Sequence, residues 1–206
     1  MRSKQLQDFL AGLLECQQSE MDQRCRTFRE VGLVESGGRG NSAPHLSMQE
    51  GALHVLSTAS RRAADAFEVG HRLMFDCELL RHFHYRDRFT APEGFTIGDL
   101  IIGIMRGEHD DVIAVELSDN GHFAWATLRD FQHKICFQSM NAVAETPEAD
   151  WLLVSRQDSL VYGRRMVIAA DRLRQIGEKI EPDEPSHLKG MRKGRVLPVP
   201  FGKEAV

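Results

Sequence analysis

Val112-Ile113-Ala114-Val115-Glu116-Leu117-Ser118-Asp119-Asn120-Gly121-His122-Phe123-Ala124-Trp125-Ala126-Thr127-Leu128 places two β-rich runs, Val112 to Ser118 and His122 to Leu128, on either side of an Asn-Gly pair. Asn and Gly tolerate the positive φ that a primed turn requires at its two central positions, so the stretch predicts a two-residue antiparallel hairpin. With Asn120 and Gly121 as the loop, Ile113, Val115 and Leu117 fall opposite Leu128, Ala126 and Ala124 on one face, which is assigned to the core. The other face carries Glu116, Phe123, Trp125 and Thr127, and its two aromatics need cover from a helix, another strand or a second subunit.

Just before the hairpin, Thr96-Ile97-Gly98-Asp99 has the hydroxyl and carboxylate of a helix start. Ile97, Leu100, Ile101, Ile104 and Met105 follow at helical spacing, and Gly107 supplies a stop. Beyond the hairpin, Trp151–Val154 and Leu160–Ile168 are further strand candidates, and residues 170–180 form a last helix with Leu173, Ile176 and Ile180 inward. Helices around an antiparallel sheet make this half α+β. The turn Ala91-Pro92-Glu93-Gly94 marks its border, so residues 93–181 are read as an α+β oligomerisation domain that pairs two chains into a homodimer. Residues 182–206, with His187, Lys189, Arg192, Lys193, Arg195 and Lys203 among glycines and prolines, read as a basic flexible tail.

The N-terminal half follows the helical period. Leu6, Phe9, Leu10, Leu13 and Leu14 define a first amphipathic helix. Ser19 and Asp22 supply a capping pattern for a second, with Met21, Cys25 and Phe28 as its buried stripe and Gly32 as its stop. Ser47 and Glu50 cap a third, with Met48, Ala52, Val55, Leu56 and Ala59 inward. Between the last two lies a stretch with three glycines, Gly37, Gly38 and Gly40, which favours a hairpin-like loop. Residues 1–62 are thus read as a unit of three helices and a wing that folds without residues 93–206, and residues 63–92 as a helical connector.

The segment from Thr27 to Val34, the Gly37-Gly38-Arg39-Gly40 run and Leu46-Ser47-Met48-Gln49-Glu50 resemble the recognition helix, wing and following helix of MerR-type winged helix-turn-helix proteins. The arrangement is also similar to uncharacterised helix-turn-helix proteins of proteobacterial prophages. The resemblance implies a cytoplasmic transcriptional regulator, phage or mobile-element encoded, that binds specific double-stranded DNA as a dimer. The chain lacks the long dimerising coiled coil and the cysteine effector site of MerR regulators, so metal or drug sensing is not implied. In physical terms, a recognition helix would present Arg24, Arg26, Thr27 or Arg29 to base edges and phosphates. Arg39 would reach out from the wing, where Gly38 and Gly40 let the backbone approach phosphates alongside Asn41 and Ser42. Arg61 and Arg62 would extend the patch.

The net charge of −4 excludes a globally basic nucleic-acid binder. Residues 1–46 hold six basic against six acidic side chains, so only their sorting onto different faces would make a positive surface. Cys16, Cys25, Cys77 and Cys136 lie too far apart for a CxxC pair and read as reduced thiols. No signal-peptide succession follows Met1, and no apolar run approaches the ~18 residues of a membrane span, which points to the cytoplasm. His82 and His84, with His71, Asp76 and Cys77 nearby, are the one metal-like grouping; two histidines at i and i+2 on a helix point apart, so no metal or cofactor is assigned. No GxSxG elbow, P-loop, HExxH or Rossmann fingerprint is present, and no residue is assigned a catalytic role. The alternative reading is a phage adaptor whose winged helix binds protein through the Phe123/Trp125 face instead of DNA.

Overall fold

A computed structural model describes residues 2–13, 15–31, 45–80, 91–130, 134–139 and 165–180. The chain is α+β, with six helices and one antiparallel sheet of five strands among these residues. The helices are α1 (Ser3–Leu13), α2 (Gln18–Glu30), α3 (Met48–Ser57), α4 (Ala66–Phe75), α5 (Ile97–Met105) and α6 (Ala170–Gly177). The strands are β1 (Cys77–Leu79), β2 (Val112–Ser118), β3 (Phe123–Leu128), β4 (Lys134–Ser139) and β5 (Arg165–Ala169), in the order β1-β4-β3-β2-β5. No helix among the described residues is long and apolar enough to cross a membrane.

Two helix starts follow from their sequence. Ser47 and Thr96 each accept a hydrogen bond from the backbone of the third helical residue, Glu50 or Asp99, whose carboxylate accepts from the cap backbone in return. The expected cap at Ser19 does not form. α2 begins ahead of it, at Gln18, its capping residue Gln17 contributes no side-chain bond, and Asp22 accepts from Lys4 on α1 instead.

The hairpin forms with one change of register. Val115 pairs with Ala126 and Leu117 with Ala124, but a β-bulge between Val112 and Ala114 brings Val112, and not Ile113, opposite Leu128. The two-residue primed turn does not form: β2 stops at Ser118 and β3 resumes at Phe123, the Gly121 N–H donates to the Ser118 carbonyl at 3.1 Å, and of the Asn-Gly pair only Gly121, at φ +75°, is in the left-handed region that glycine adopts without Cβ strain. Two strands are absent from the sequence reading. β4 pairs along β3, and β1, inside the supposed helical connector, pairs with β4 through Cys77↔Ser139 and Leu79↔Phe137. Residues 151–154 lie outside the described residues, and of the second candidate run only 165–168 are described, within β5.

The inner face of the sheet, with Val115, Leu117, Ala124, Ala126, Ile135, Phe137 and Ile168, packs under the helices. Buried side chains from Leu6 in α1 to Ile180 just past α6 form one continuous cluster. The turn at residues 91–94 therefore does not separate one core from another, and the boundary drawn there between a head and a pairing domain has no counterpart in the packing.

On the outer face, Phe123 and Trp125 are 6% and 4% exposed within the single chain, clustered with Cys136 and Leu80. The Arg165 guanidinium lies 4.3 Å above the Trp125 ring, a cation-π contact, and both Arg165 and Lys134 pair with Glu116. Cover from a second subunit is not needed here, and the face is not the open contact surface that the adaptor reading requires.

Candidate nucleic-acid interface

α2 is held by one side and open on the other. Met21, Cys25 and Phe28 are buried as the period implies, but Arg24 is buried with them, at 3% exposure. Its guanidinium donates to the backbone carbonyls of Ser57 and Ser60, each at 2.9 Å, to the Ser60 hydroxyl, and to Glu20 Oε1 at 2.6 Å. A planar fork of five N–H donors is the one side chain that satisfies so many acceptors at once. Arg24 is accordingly no groove-reading residue. It is a clamp fastening α2 to the chain that follows α3. The signal was present in the sequence, since Met21, Arg24, Cys25 and Phe28 stand at i, i+3, i+4 and i+7, the spacing of a buried stripe.

The other assigned residues divide by placement. Arg26 and Arg29 are exposed, and Thr27 is half-buried with its hydroxyl donating to the Arg24 carbonyl at 2.6 Å. Arg61 and Arg62 are exposed directly after the clamped Ser57–Ser60 segment. Arg62 makes a two-pronged pair with Asp65, at 2.8 and 3.0 Å. Gly38, Arg39, Gly40, Asn41 and Ser42, the whole expected wing, lie outside the described residues.

Ion pairing sorts the balanced charges of this region. Lys4 holds Asp8 at 3.2 Å and Asp22 at 3.1 Å, and Arg24 holds Glu20. Two cations of α1 and α2 thereby engage three carboxylates, with Lys4 shared between Asp8 and Asp22. The exposed charges of α2 are Arg26, Arg29 and Glu30, and Arg29 stands at the edge of the buried stripe, its Nε donating to the Cys25 carbonyl at 3.4 Å.

Three other constellations resemble chemistry without supporting it. The Cys25 thiol lies 3.3 Å from His54 Nδ1. Burial pushes the thiol up to about 12 and the imidazole down to about 4, the reverse of an activated thiolate–imidazolium pair, and both side chains are sealed from solvent. Ser139 Oγ lies 2.9 Å from His122 Nδ1, but Arg72 donates to His122 Nε2 at 3.1 Å. Arginine cannot accept, so Nε2 carries the lone pair and Nδ1–H donates to Ser139, which leaves no base for the serine proton. His71 rests between Phe67 and Phe75, at centroid distances of 5.7 and 5.0 Å, with Asp76 3.9 Å from its Nδ1. His82 and His84 lie outside the described residues, and no group of three or more His, Cys, Asp or Glu side chains fit for a metal ion occurs among those described.

No protein-family model, curated protein or solved structure matches this chain.

Proposed function

We propose that the chain is a regulator that binds specific double-stranded DNA through the outward face of α2. The observation that carries the reading is the sorting of charge around that helix. Lys4 and Arg24 engage Asp8, Asp22 and Glu20 while Arg26 and Arg29 stay exposed, and the Arg24 clamp keeps Arg61, with Arg62 in its pair with Asp65, on the segment fastened beside it. A helix secured along one side, with cations and the Thr27 hydroxyl on the other, is what a major groove accepts. The glycine-bearing segment after α2 would supply the second, backbone-directed contact.

The test is a shift assay across a salt series, with random-sequence duplex competing against fragments selected by the protein. Replacing Arg26 and Arg29 together with alanine removes two exposed side chains from a helix held by its opposite face, so the melting temperature should hold. Affinity should fall, and the slope of log K against log salt should become shallower by about two, roughly one for each phosphate no longer neutralised. Equal affinity of the double variant and the parent, or binding insensitive to salt, would overturn the reading.

A further inference from the structure

A cavity of about 640 Å³ opens where the start of α3, the end of α5 and the end of α6 converge. Two glycines lie where these elements approach, and one of them, Gly177, lines the cavity. A Cβ at Gly177 would stand 1.8 Å from the Met105 carbonyl oxygen, a backbone atom, so α5 and α6 approach as they do only because that position lacks a side chain; one at Gly51 would stand 2.4 Å from Ile180 Cδ1, the end of a side chain that can turn aside. The lining includes Met48, Met105, Arg106, Arg174, Gly177 and Glu178.

The charges of this lining are incompletely matched. Arg174 is pinned: Nη1 donates to Asp171 at 2.6 Å, and Nη2 to the carbonyls of Val112 and His109 at 3.2 and 3.5 Å. Arg106 and Glu178 are both exposed, and among the described residues neither has an ion-pair partner within 4 Å. Glu178 follows Arg174 by four residues, a spacing at which the two side chains neighbour one another. Arg174 nevertheless turns to Asp171 and leaves the Glu178 carboxylate open.

Each simple ligand fails on one of these groups. An anion would meet the arginines but be repelled by Glu178, a cation would meet Glu178 but be repelled by two guanidinium groups, and a neutral apolar molecule would strip water from all three with nothing in return. A molecule carrying both charges satisfies the set. We infer that the cavity binds a free α-amino acid with an apolar side chain, its carboxylate toward Arg106, its ammonium toward Glu178, and its side chain among the Met48 and Met105 thioethers, which adapt to irregular apolar shapes. The site is independent of the α2 surface, and its occupancy is read without DNA.

Calorimetry and thermal melts on the full chain test it with L-leucine and L-phenylalanine, together with leucinamide, which lacks the carboxylate, and 4-methylpentanoate, which lacks the ammonium. At least one of the two amino acids should bind and raise the melting temperature, with each leucine analogue weaker than leucine by about tenfold or more. Arg106→Ala should abolish the preference for leucine over leucinamide. Glu178→Gln should abolish the preference for leucine over 4-methylpentanoate. Both substitutions alter exposed side chains, so the melting temperature without ligand checks that the fold is intact. No heat with either amino acid at millimolar concentration, equal affinity for leucine and its two analogues, or preferences that survive both substitutions would overturn the proposal.

Discussion

His54 is buried in α3 as a neutral ring, edge-on to Phe28 at 5.3 Å between centroids, with no hydrogen-bond partner for Nε2. Burial, with a smaller contribution from nearby Arg29, lowers its pKa from 6.5 to about 4. The unfolded chain takes up a proton below 6.5 that the folded chain refuses, so stability is full above that value and falls as the pH drops toward 4. The loss approaches about 3 kcal/mol at the lower limit. Urea unfolding at pH 7 and pH 4.5 should show most of this decline in the parent and a smaller one in His54→Leu; equal declines would mean that another group sets the acid limit. Arg24 shows at the same scale a helical spacing that was legible and a partner that was not. Its spacing puts it on the buried stripe, a place a cation ordinarily avoids, and the acceptors at Ser57 and Ser60 that make it tolerable there are more than thirty residues away.

Among the elements, those whose signals are local were legible. α3 and α5 begin at the residues their capping boxes name, α5 ends before Gly107 in the left-handed region at φ +77°, and the hairpin keeps its expected register at Val115 and Leu117 although its turn is not the primed one. What could not be read depended on distant partners. β1 is three residues long and becomes a strand only because Ser139 and Phe137 lie opposite it, and the bulge that exchanges Val112 for Ile113 depends on how β2 sits between β3 and β5. The crossing of α5 and α6 is equally non-local and has a sharp test. Gly177→Ala places a methyl group against the Met105 carbonyl, a backbone atom that cannot swing aside, and should destabilise the fold by about 1–3 kcal/mol in thermal or urea melts. Gly12→Ala, where no atom lies within 4 Å of the added carbon, should not destabilise it, and equal effects from the two would refute the close approach.

For the whole molecule, the continuous core replaces the division into a self-standing head and a pairing domain. α3 packs against α4, α5 and α6, and nearly every side chain it carries is buried. A chain ending at residue 92 loses α5, α6 and the hairpin together and leaves the apolar face of α3 in water, so it should lack cooperative unfolding by circular dichroism and should self-associate. A folded, monomeric fragment with a sharp melting transition would restore the two-domain description. The likeness to winged helices rests on residues between Thr27 and Glu50, a window that contains helices and a glycine-rich segment but not the sheet with which those helices share a core.

The contact between Gly51 and Ile180 also sets a schedule for synthesis. At a ribosome's pace of roughly 5–20 residues per second, α3 emerges and waits on the order of 6–26 s for a partner about 130 residues behind it. Throughout that interval a helix built for the interior is held in a nascent chain. The apolar face of α3 therefore stays without its α6 neighbours until residue 180 has left the exit tunnel.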